Sequence, residues 1–336
     1  MSVSQYELSG VSLQQIATAA GISQATASRA LRGSSAVAPK TRRAVDIALR
    51  TLGVKVPAAP DVKRIAVVTA APIGPDIEPF TTLIEELTKR IFAVGHVAVQ
   101  AVTDPGLPPT YELLSSVGVD GVIVVGGGPA SSEAQKLAGT ELPMLRISHA
   151  RHTGFAQIIM DSSVGIETAV RHLVQLGHTR IGLAVPEDSA KNSRVSAFRT
   201  TMADLLFITG TRDQAPVVVS DPGVLAGAQA AQQLLDTKCT AVISASPDLT
   251  VGFLQAAQRL RLRVPDDLSF LAVGDVPDAD VFSPPISQVT FDWEQLASTG
   301  VREIERLMAG PVDPLPAYWV EPELVLRSSD APLARR

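Results

Sequence analysis

A short stretch near the N-terminus carries side chains that suit contact with a polyanion. Four short hydroxyls fall close to the expected starts of helices: Ser12, Ser23, Thr26 and Ser28. Hydroxyls and backbone N–H groups at helix starts can hold phosphate oxygens together. Gln24 and Arg29 add polar donors of the kind that reach the edges of nucleic-acid bases. These types and spacings indicate nucleic-acid contact, and an ordinary three-helix bundle with caps is the alternative interpretation.

The charge is distributed unevenly along the chain. Residues 1–56 contain seven basic side chains and two acidic ones, a net charge of +5, whereas the whole chain carries −5. A basic head on an acidic body fits a polyanionic partner for the head alone. Chance clustering on a solvated helix face is the other explanation of the charge.

The composition narrows the class of protein. With 46% hydrophobic and 19% charged residues, the chain can bury a sizeable core and does not resemble a disordered protein. It has no apolar run of the ~20 residues that a membrane helix needs, and its first residues do not form a secretory signal. Cys239 is the only cysteine, so no intrachain disulfide can form. These features predict a cytoplasmic protein without membrane contact.

The caps and apolar spacing of residues 12–52 predict three short helices. Ser12 can cap the first, and Gln15 three residues later completes a capping box. Gly21 ends that helix, Ser23 caps the second, and Pro39 occupies a favoured position in the first turn of the third. The spacing therefore predicts a small all-α head with its own apolar stripe.

From Lys63 onward, buried-type strands alternate with amphipathic helices. We expect strands at 65–70, 97–102, 122–125, 144–147, 181–185, 217–219, 241–244 and 268–273. We expect helices at 79–94, 164–176, 194–206, 224–235 and 249–260. Short apolar runs separated by helices indicate parallel sheets that are covered on both faces. The length of this pattern suits an α/β core of two doubly wound parallel-sheet lobes, with a ligand beyond the carboxyl ends of the strands.

The predicted domains follow from this division. We expect a disordered tail at 1–10, the helical head at 11–53, a linker at 54–62, the core at 63–328 and a tail at 329–336. Within the core, the first lobe is expected at 63–175 and 291–317. The second lobe is expected at 176–290 and 318–328.

The segment from Val11 to Gly33, VSLQQIATAAGISQATASRALRG, resembles the helix-turn-helix of the lactose-repressor (LacI) family of bacterial regulators. The matching features are the Ser-Leu opening, the Ile-Ala pair, the Ala-Gly-Ile-Ser turn and the Thr-Ala-Ser-Arg run. The resemblance implies that the second helix enters the major groove of double-stranded operator DNA. It assigns DNA contacts to eight residues: Ser12, Ser23, Gln24, Ala25, Thr26, Ser28, Arg29 and Arg32.

One departure from the family pattern concerns the linker. Family members usually follow the third helix with an Asn-x-x-Ala-Arg-x-Leu segment, which forms a hinge helix and wedges a leucine into the minor groove. This chain lacks that segment, and Pro57 and Pro60 oppose a helix there. We therefore predict an atypical member without a hinge helix, which bends DNA little.

The core also resembles this family and, through it, the periplasmic sugar-binding proteins. The run from Asp161 through His172-Leu173 and Gly177-His178 to Ile181 matches a family pattern, as do residues 264–269 and 284–286. The resemblance implies an effector between the lobes and an arginine, Arg194, that reaches into the cleft to bind it. Phe80, Asp161, Ser246 and Asp275 are the further candidates for effector binding. The alternatives are a surface arginine at 194 and simple core packing for Phe80.

At several positions where the family binds sugars, this chain has residues of another type. The effector-binding aspartate falls on Gly274, the Asn-Asp pair on Ser246-Pro247, and an aromatic on Pro222. Because Arg194 is kept among few carboxylates, we expect an anionic small molecule or no effector at all.

Signals for an enzyme are poor. Gly126-Gly127-Gly128 lacks the spacing of a dinucleotide-binding loop, and the five histidines show no metal-ligand spacing. No cofactor, metal or catalytic residue is predicted. The function that the sequence favours is a homodimeric, sequence-specific DNA-binding regulator, in particular a repressor, that responds to a small molecule. The alternative is a cytoplasmic small-molecule-binding protein with a vestigial DNA-binding head.

Overall fold

The computed structural model describes residues 11–32, 34, 37–54, 61–70, 80–103, 110–126, 129–149, 151–187, 191–209 and 215–333. The chain divides into two compact units, Met1–Val62 and Lys63–Arg336. The predicted tail at 1–10 and the prolines of the predicted linker lie outside the described residues. No helix of the described ranges is long and apolar enough to cross a membrane.

The head consists of three helices: α1 at Leu13–Ala20, α2 at Gln24–Leu31 and α3 at Pro39–Thr51. The predicted capping box is confirmed, because Ser12 Oγ accepts from Gln15 N at 3.3 Å and Gln15 Oε1 accepts from Ser12 N at 2.8 Å. Gly21 ends α1 with φ at 65°, a conformation that suits glycine. The fully buried side chains of Ile16, Ala27 and Leu49 bring the three helices together.

The first lobe of the second unit contains a six-stranded parallel sheet in the order β11-β5-β4-β3-β1-β2. Its strands are β1 at Arg64–Ala70, β2 at Val97–Thr103, β3 at Gly121–Val125, β4 at Met144–Ser148, β5 at Ala156–Met160 and β11 at Ala317–Val320. Its helices are α4 at Thr81–Ala93, α5 at Thr110–Val117, α6 at Pro129–Ala138 and α11 at Trp293–Ala309. Helices α4 and α11 bury apolar side chains on one face, and α5 and α6 on the other.

The second lobe repeats this arrangement with the order β12-β10-β9-β8-β6-β7. Its strands are β6 at Ile181–Pro186, β7 at Val217–Ser220, β8 at Ala241–Ser244, β9 at Ser269–Val273, β10 at Ser287–Thr290 and β12 at Glu323–Val325. Its helices are α7 at Ser162–Gln175, α8 at Lys191–Thr209, α9 at Val224–Asp236 and α10 at Pro247–Arg259. Four helices cover both faces, which confirms the doubly wound prediction. The short last strand β12 is antiparallel to β10, unlike the rest.

The lobe boundaries differ from those expected from the sequence. Helix α7 was expected in the first lobe, but its Ile166, Ala169 and Leu173 are buried in the second-lobe core. Strand β11 continues to Val320 in the first sheet, where it pairs with β5, although the second lobe was expected to resume at 318. The amphipathic pattern of a helix predicts that one of its faces is buried. The pattern does not indicate which of the two sheets that face packs against. The chain therefore crosses between the lobes near residues 161, 291 and 321.

The C-terminal segment also differs from the expected tail. Ser329 is fully buried, and its Oγ donates to Phe270 O at 2.6 Å. Ala331 N donates to Ser269 Oγ at 3.1 Å, and Leu333 N donates to Leu176 O at 2.8 Å. Residues 329–333 are thus part of the second lobe, and residues 334–336 lie outside the described part of the chain.

Candidate DNA-binding head and effector cleft

Helix α2 presents one polar face and one buried face. Ala27 and Leu31, four residues apart, are buried in the head. Ala25, Arg29 and Arg32 lie on another side of the helix and are exposed. The packing of α2 therefore leaves these three side chains free of the head's core and able to meet a partner.

The N-terminus of α2 carries a side-chain cap. Ser23 caps the helix, and its Oγ accepts from Thr26 N at 3.2 Å and lies 2.8 Å from Thr26 Oγ1. The backbone N–H groups of a first turn carry partial positive charge and favour phosphate. Gln24, the first residue of the helix, is exposed and donates through Nε2 to Gln14 Oε1 on α1. Polar side chains of both helices thus meet at this end of α2.

The remaining predicted DNA contacts also lie in this region of the head. Ser12 is exposed at the start of α1, where its hydroxyl lies 3.0 Å from Gln15 Oε1. Ser28 is partly buried, and its carbonyl accepts from Arg32 Nε at 3.2 Å. The eight predicted residues are therefore confined to the first two helices, with Thr26 and Ser28 the least exposed of them.

A cavity of about 90 Å³ lies between the two lobes of the second unit. Much of its lining comes from residues that end a strand or follow one within two positions: His149 after β4, Pro186 at the end of β6, Ser246 after β8, Asp275 after β9 and Phe291 after β10. The carboxyl ends of parallel strands meet at one edge of each sheet. The cavity is therefore at the position where such folds bind ligands.

Arg194 is the buried cation of this cleft. It lies on α8 with only 4% of its surface exposed, and its Nε donates to Ser162 Oγ at 3.3 Å. This burial excludes the alternative of a surface arginine. Since a buried guanidinium needs acceptors, Arg194 is suited to hold an oxygen of a bound molecule.

Phe80 has both of the roles that the sequence left open. It belongs to the first-lobe core and also lines the cavity. Its ring stacks on His149 with centroids 5.4 Å apart, and a Cβ at Gly126 would lie 3.2 Å from it. His149 is in turn held through Nδ1, which lies 2.7 Å from Met160 O.

Of the other predicted effector residues, Ser246 and Asp275 line the cavity and Asp161 does not. Asp161 instead caps α7, where its Oδ1 accepts from Ser163 N at 2.9 Å and from Ser163 Oγ at 2.5 Å. This oxygen caps the helix and Asp161 does not line the cavity, so its predicted role in effector binding does not fit the structure. A cap and a ligand contact need the same residue type, which is why the sequence pattern did not separate them.

The structure adds cleft residues that sequence reasoning missed. Phe291 and Trp293 make an edge-to-face pair with ring centroids 5.7 Å apart, and both line the cavity together with His149 and Asp248. Trp293 Nε1 is buried without a hydrogen-bond partner among the described residues. His149 and Phe291 directly follow strands, so the strand-end rule could have identified them. No pattern in the sequence marked Trp293.

The clearest pKa shifts of buried groups lie outside this cleft. Burial lowers the pKa of Arg146 on β4 to about 10, and its guanidinium lies 5.6 Å from the centre of the Phe155 ring. Burial also lowers the pKa of His178, which lies in the second lobe. Among the described residues, no group of three or more His, Cys, Asp or Glu side chains could hold a metal ion.

The comparisons with known proteins match both units of the chain. Residues 12–54 match the family described as bacterial regulatory proteins, lacI family, and residues 170–329 match a periplasmic binding protein-like domain. The chain is 32% identical to the HTH-type transcriptional regulator MalR of Streptomyces coelicolor over 333 residues, which cover 95% of this chain and 96% of that protein.

Two solved structures show the same fold over nearly the whole chain. The lac repressor dimer bound to operator and the anti-inducer ONPF matches with a TM-score of 0.68 and 23% identity, covering 96% of this chain and 99% of that one. A complex of the transcriptional regulator CelR with cellobiose matches with a TM-score of 0.65 and 24% identity, covering 95% and 99%.

The sequence similarity extends across the head and the core together, at an identity that establishes common family membership. The predicted resemblance is thereby confirmed, and the relatives are regulators rather than enzymes. This chain belongs to the LacI family and is a DNA-binding transcriptional regulator.

Proposed function

We propose that the protein is a cytoplasmic repressor that binds a two-fold symmetric operator as a homodimer. The observation that carries this proposal is the exposed polar face of α2, positioned by the buried Ala27 and Leu31. One such helix reads only a half-site, so a symmetric operator requires two copies. The alternative, a solute-binding protein with a vestigial head, is not favoured, because both helices of the motif are complete and capped.

The residues of the head divide into two roles. Arg29 reads a base, since a guanidinium can donate two hydrogen bonds to guanine. Gln24 also reaches base edges, and Ala25 offers a methyl group to thymine. The hydroxyls of Ser12, Ser23, Thr26 and Ser28, with Arg32, hold the phosphate backbone.

Selection of bound sequences from random DNA by the purified full chain tests this proposal. We expect an inverted repeat to emerge. Thr26→Ala should then weaken binding to all sequences by a similar factor, because phosphate contacts carry no base information. If Thr26→Ala changed base preference instead, the assigned register of α2 would be wrong.

Large exposed apolar side chains support the homodimer. On the second lobe, Leu225 and Val281 are each 76% exposed, and on the first lobe Val102 and Leu113 are 49% and 55% exposed. Because a two-fold operator needs two copies of the chain, we propose that Leu225, the more exposed of the leucines, lies at the homodimer interface. Leu225→Asp should convert the dimer to a monomer in sedimentation, whereas Leu260→Asp, also at an exposed leucine, should not.

The absence of the hinge motif is proposed to limit DNA bending. A leucine wedge kinks DNA by ~20–90°, and residues 54–62 offer no such motif. Circular-permutation mobility on the selected operator should therefore depend little on the position of the site. A strong dependence would show that another segment inserts.

The effector is proposed to be a small polar molecule held between the lobes. An anion was expected because Arg194 faced few carboxylates, but the cavity is lined by both Asp248 and Asp275. Two carboxylates and one guanidinium do not favour an anion. The rings of Phe80, Phe291 and Trp293 add flat apolar surfaces. These groups suit the hydroxyls and apolar faces of a neutral sugar, the ligand class of the CelR–cellobiose complex.

Thermal shift tests this assignment. A ligand that binds the folded core at about a hundred times its Kd should raise the melting temperature by about 5 °C. Neutral sugars such as cellobiose and ribose are tested beside citrate. Arg194→Ala should remove the shift, and Arg199→Ala, on the exposed side of the same helix, should keep it. If citrate alone raised the melting temperature, the effector would be an anion and the proposal of a neutral sugar would be wrong.

A further inference from the structure

The side-chain amide of Gln24 presents a hydrogen-bonding pattern that depends on how the amide is turned. Its oxygen accepts and its NH2 group donates, and a half-turn of the amide exchanges the two. Gln24 is exposed and is the first residue of α2, at the end of a recognition helix that faces base edges. An exposed glutamine samples many rotamers, and holding one of them costs side-chain entropy. The base that Gln24 prefers therefore depends on what holds its amide.

A residue of the first helix holds this amide. Gln24 Nε2 donates to Oε1 of Gln14, which lies ten positions earlier in the chain, on α1. Gln14 is the second residue of α1, so the first turns of the two helices meet at this bond. The carbonyl of Gln14 accepts from Thr18 Oγ1 of the same helix at 2.9 Å. The amide of Gln24 is thus anchored to a neighbouring helix rather than to its own.

The bond to Gln14 determines which groups of Gln24 are available to a partner. One N–H is committed to Gln14, and Oε1 and the second N–H remain. An acceptor beside a donor is the pair with which glutamine binds N7 and N6 of adenine in the major groove. If the amide of Gln24 alone turned over, its oxygen would meet the oxygen of Gln14, and two acceptors repel. The orientation of Gln24 is therefore coupled to that of Gln14.

We propose that Gln14 is a positioning residue for base readout, which orients the amide of Gln24 toward an adenine in each half-site without contacting that base. Gln14 is not among the eight residues assigned to DNA contact, so the base preference of α2 depends on a residue outside that set. The base contact of Gln24 rests on the proposed function. The coupling of the two glutamines can be measured separately, because the residues can be changed singly and together.

The base preference of the purified full chain at each position of the selected operator tests the coupling. Gln24→Ala should reduce the preference for adenine at one position per half-site about twentyfold. Gln14→Ala should reduce it at the same position about fivefold, because the amide loses the bond that orients it. The double variant should lose no more than Gln24→Ala alone. Thr18→Ala changes another exposed polar residue of α1, one turn later, and should keep the parent's preference.

Gln14→Glu separates the orientation of Gln24 from the overall affinity for DNA. The carboxylate still accepts from Gln24 Nε2 and cannot donate, so the preference for adenine should be retained. Its negative charge beside the phosphates should weaken binding to all sequences by a similar factor. A loss of adenine preference in Gln14→Glu as large as that in Gln14→Ala would overturn the positioning role, because the acceptor is still present.

The remaining outcomes distinguish this coupling from the proposed function. If Gln24→Ala lost its preference while Gln14→Ala kept that of the parent, the positioning role would be overturned and base reading by Gln24 would stand. An additive loss in the double variant, or a loss at a different base pair in Gln14→Ala, would show that Gln14 acts on DNA independently. Parent-like preference in Gln24→Ala would contradict base reading by Gln24 and overturn the positioning role with it.

Discussion

The DNA-binding head and the effector cleft are built in opposite ways. The eight predicted DNA contacts lie within residues 12–32, and hydrogen bonds between neighbours in sequence, such as Ser12 with Gln15 and Ser23 with Thr26, fix them. The cleft combines Phe80, Arg194, Asp275 and Trp293, which come from two sheets and several helices. The head is thus a local structure, and the cleft depends on long-range packing.

This difference predicts which substitutions should disrupt each site. A change in one helix cap can displace the DNA contacts, because short-range bonds set their geometry. The cleft depends instead on the close approach of helices and sheets. Substitutions far from its lining can therefore deform it.

The largest loss of stability is expected from a substitution at the contact between α9 and α10. A Cβ on Gly252 would lie 1.8 Å from Val224 O, so Gly252→Ala must push the helices apart. We expect a loss of more than about 3 kcal/mol of core stability, with Ser246 and Asp248 at the start of α10 displaced. Urea unfolding measures it. At Gly139 the nearest atom is 3.5 Å away, so Gly139→Ala is a control that should be close to neutral. A stable Gly252→Ala protein would contradict this packing.

The sequence predicted the core only as far as local patterns allow. Apolar runs identified β3, β6, β8 and β9, but β5, β10, β11 and β12 were not predicted. The last of these has only three residues, and β11 alternates between exposed and partly buried positions, so neither forms an apolar run. The prediction that α7 belongs to the first lobe was also wrong, because the lobe of a helix depends on which sheet its buried face packs against.

A smaller effect is expected in the head. Ser23→Ala removes the oxygen that accepts from Thr26 N and should destabilise α2 by about 1 kcal/mol. Amide exchange at Ala27 and Leu31 should accelerate, whereas exchange in β8 should not. Ser23→Asp keeps a capping oxygen and should preserve the protection. Unchanged exchange in Ser23→Ala would show that the cap does not stabilise the helix.

The smallest effect is a loss of stability at low pH, and we expect it in the core but not in the head. All five histidines lie beyond residue 62, and burial holds the pKa of His178 below its usual 6.5. The unfolded chain therefore binds this proton first, and core stability falls as the pH drops below 6.5. Above that pH the histidine is neutral in both states and the effect vanishes.

Melting of the core between about pH 7.5 and 5.5 measures this dependence. His178→Gln removes one titrating ring and should make the curve less steep in that range, and His152, whose pKa is also lowered by burial, should leave part of the slope. His178 also bonds Thr240 and Ala331, so the variant should lose some stability at all pH values. A curve as steep as that of the parent would assign the dependence to other groups.

The two sites differ in the same way in how well the sequence predicted them. Caps, a glycine turn and helical spacing predicted the three helices of the head, because each signal acts within one turn of helix, whereas its eight DNA contacts were predicted from the resemblance. In the cleft, Arg194 was predicted from the resemblance and Phe80 from its place at the first core helix, whereas Asp161 lies in a cap and Trp293 was missed. A residue's position in a cleft depends on tertiary packing, which local spacing does not encode.

The central claim is that the exposed face of α2 reads operator DNA. Binding of the parent, Arg29→Ala and Arg171→Ala to the selected operator and to scrambled DNA tests it most directly. Arg171 is an exposed arginine of the core and controls for the loss of one charge. We predict that Arg29→Ala loses about 1–3 kcal/mol per half-site on the operator and most of its preference over scrambled DNA, while Arg171→Ala binds like the parent. Equal affinity of Arg29→Ala and parent for the operator would contradict the account.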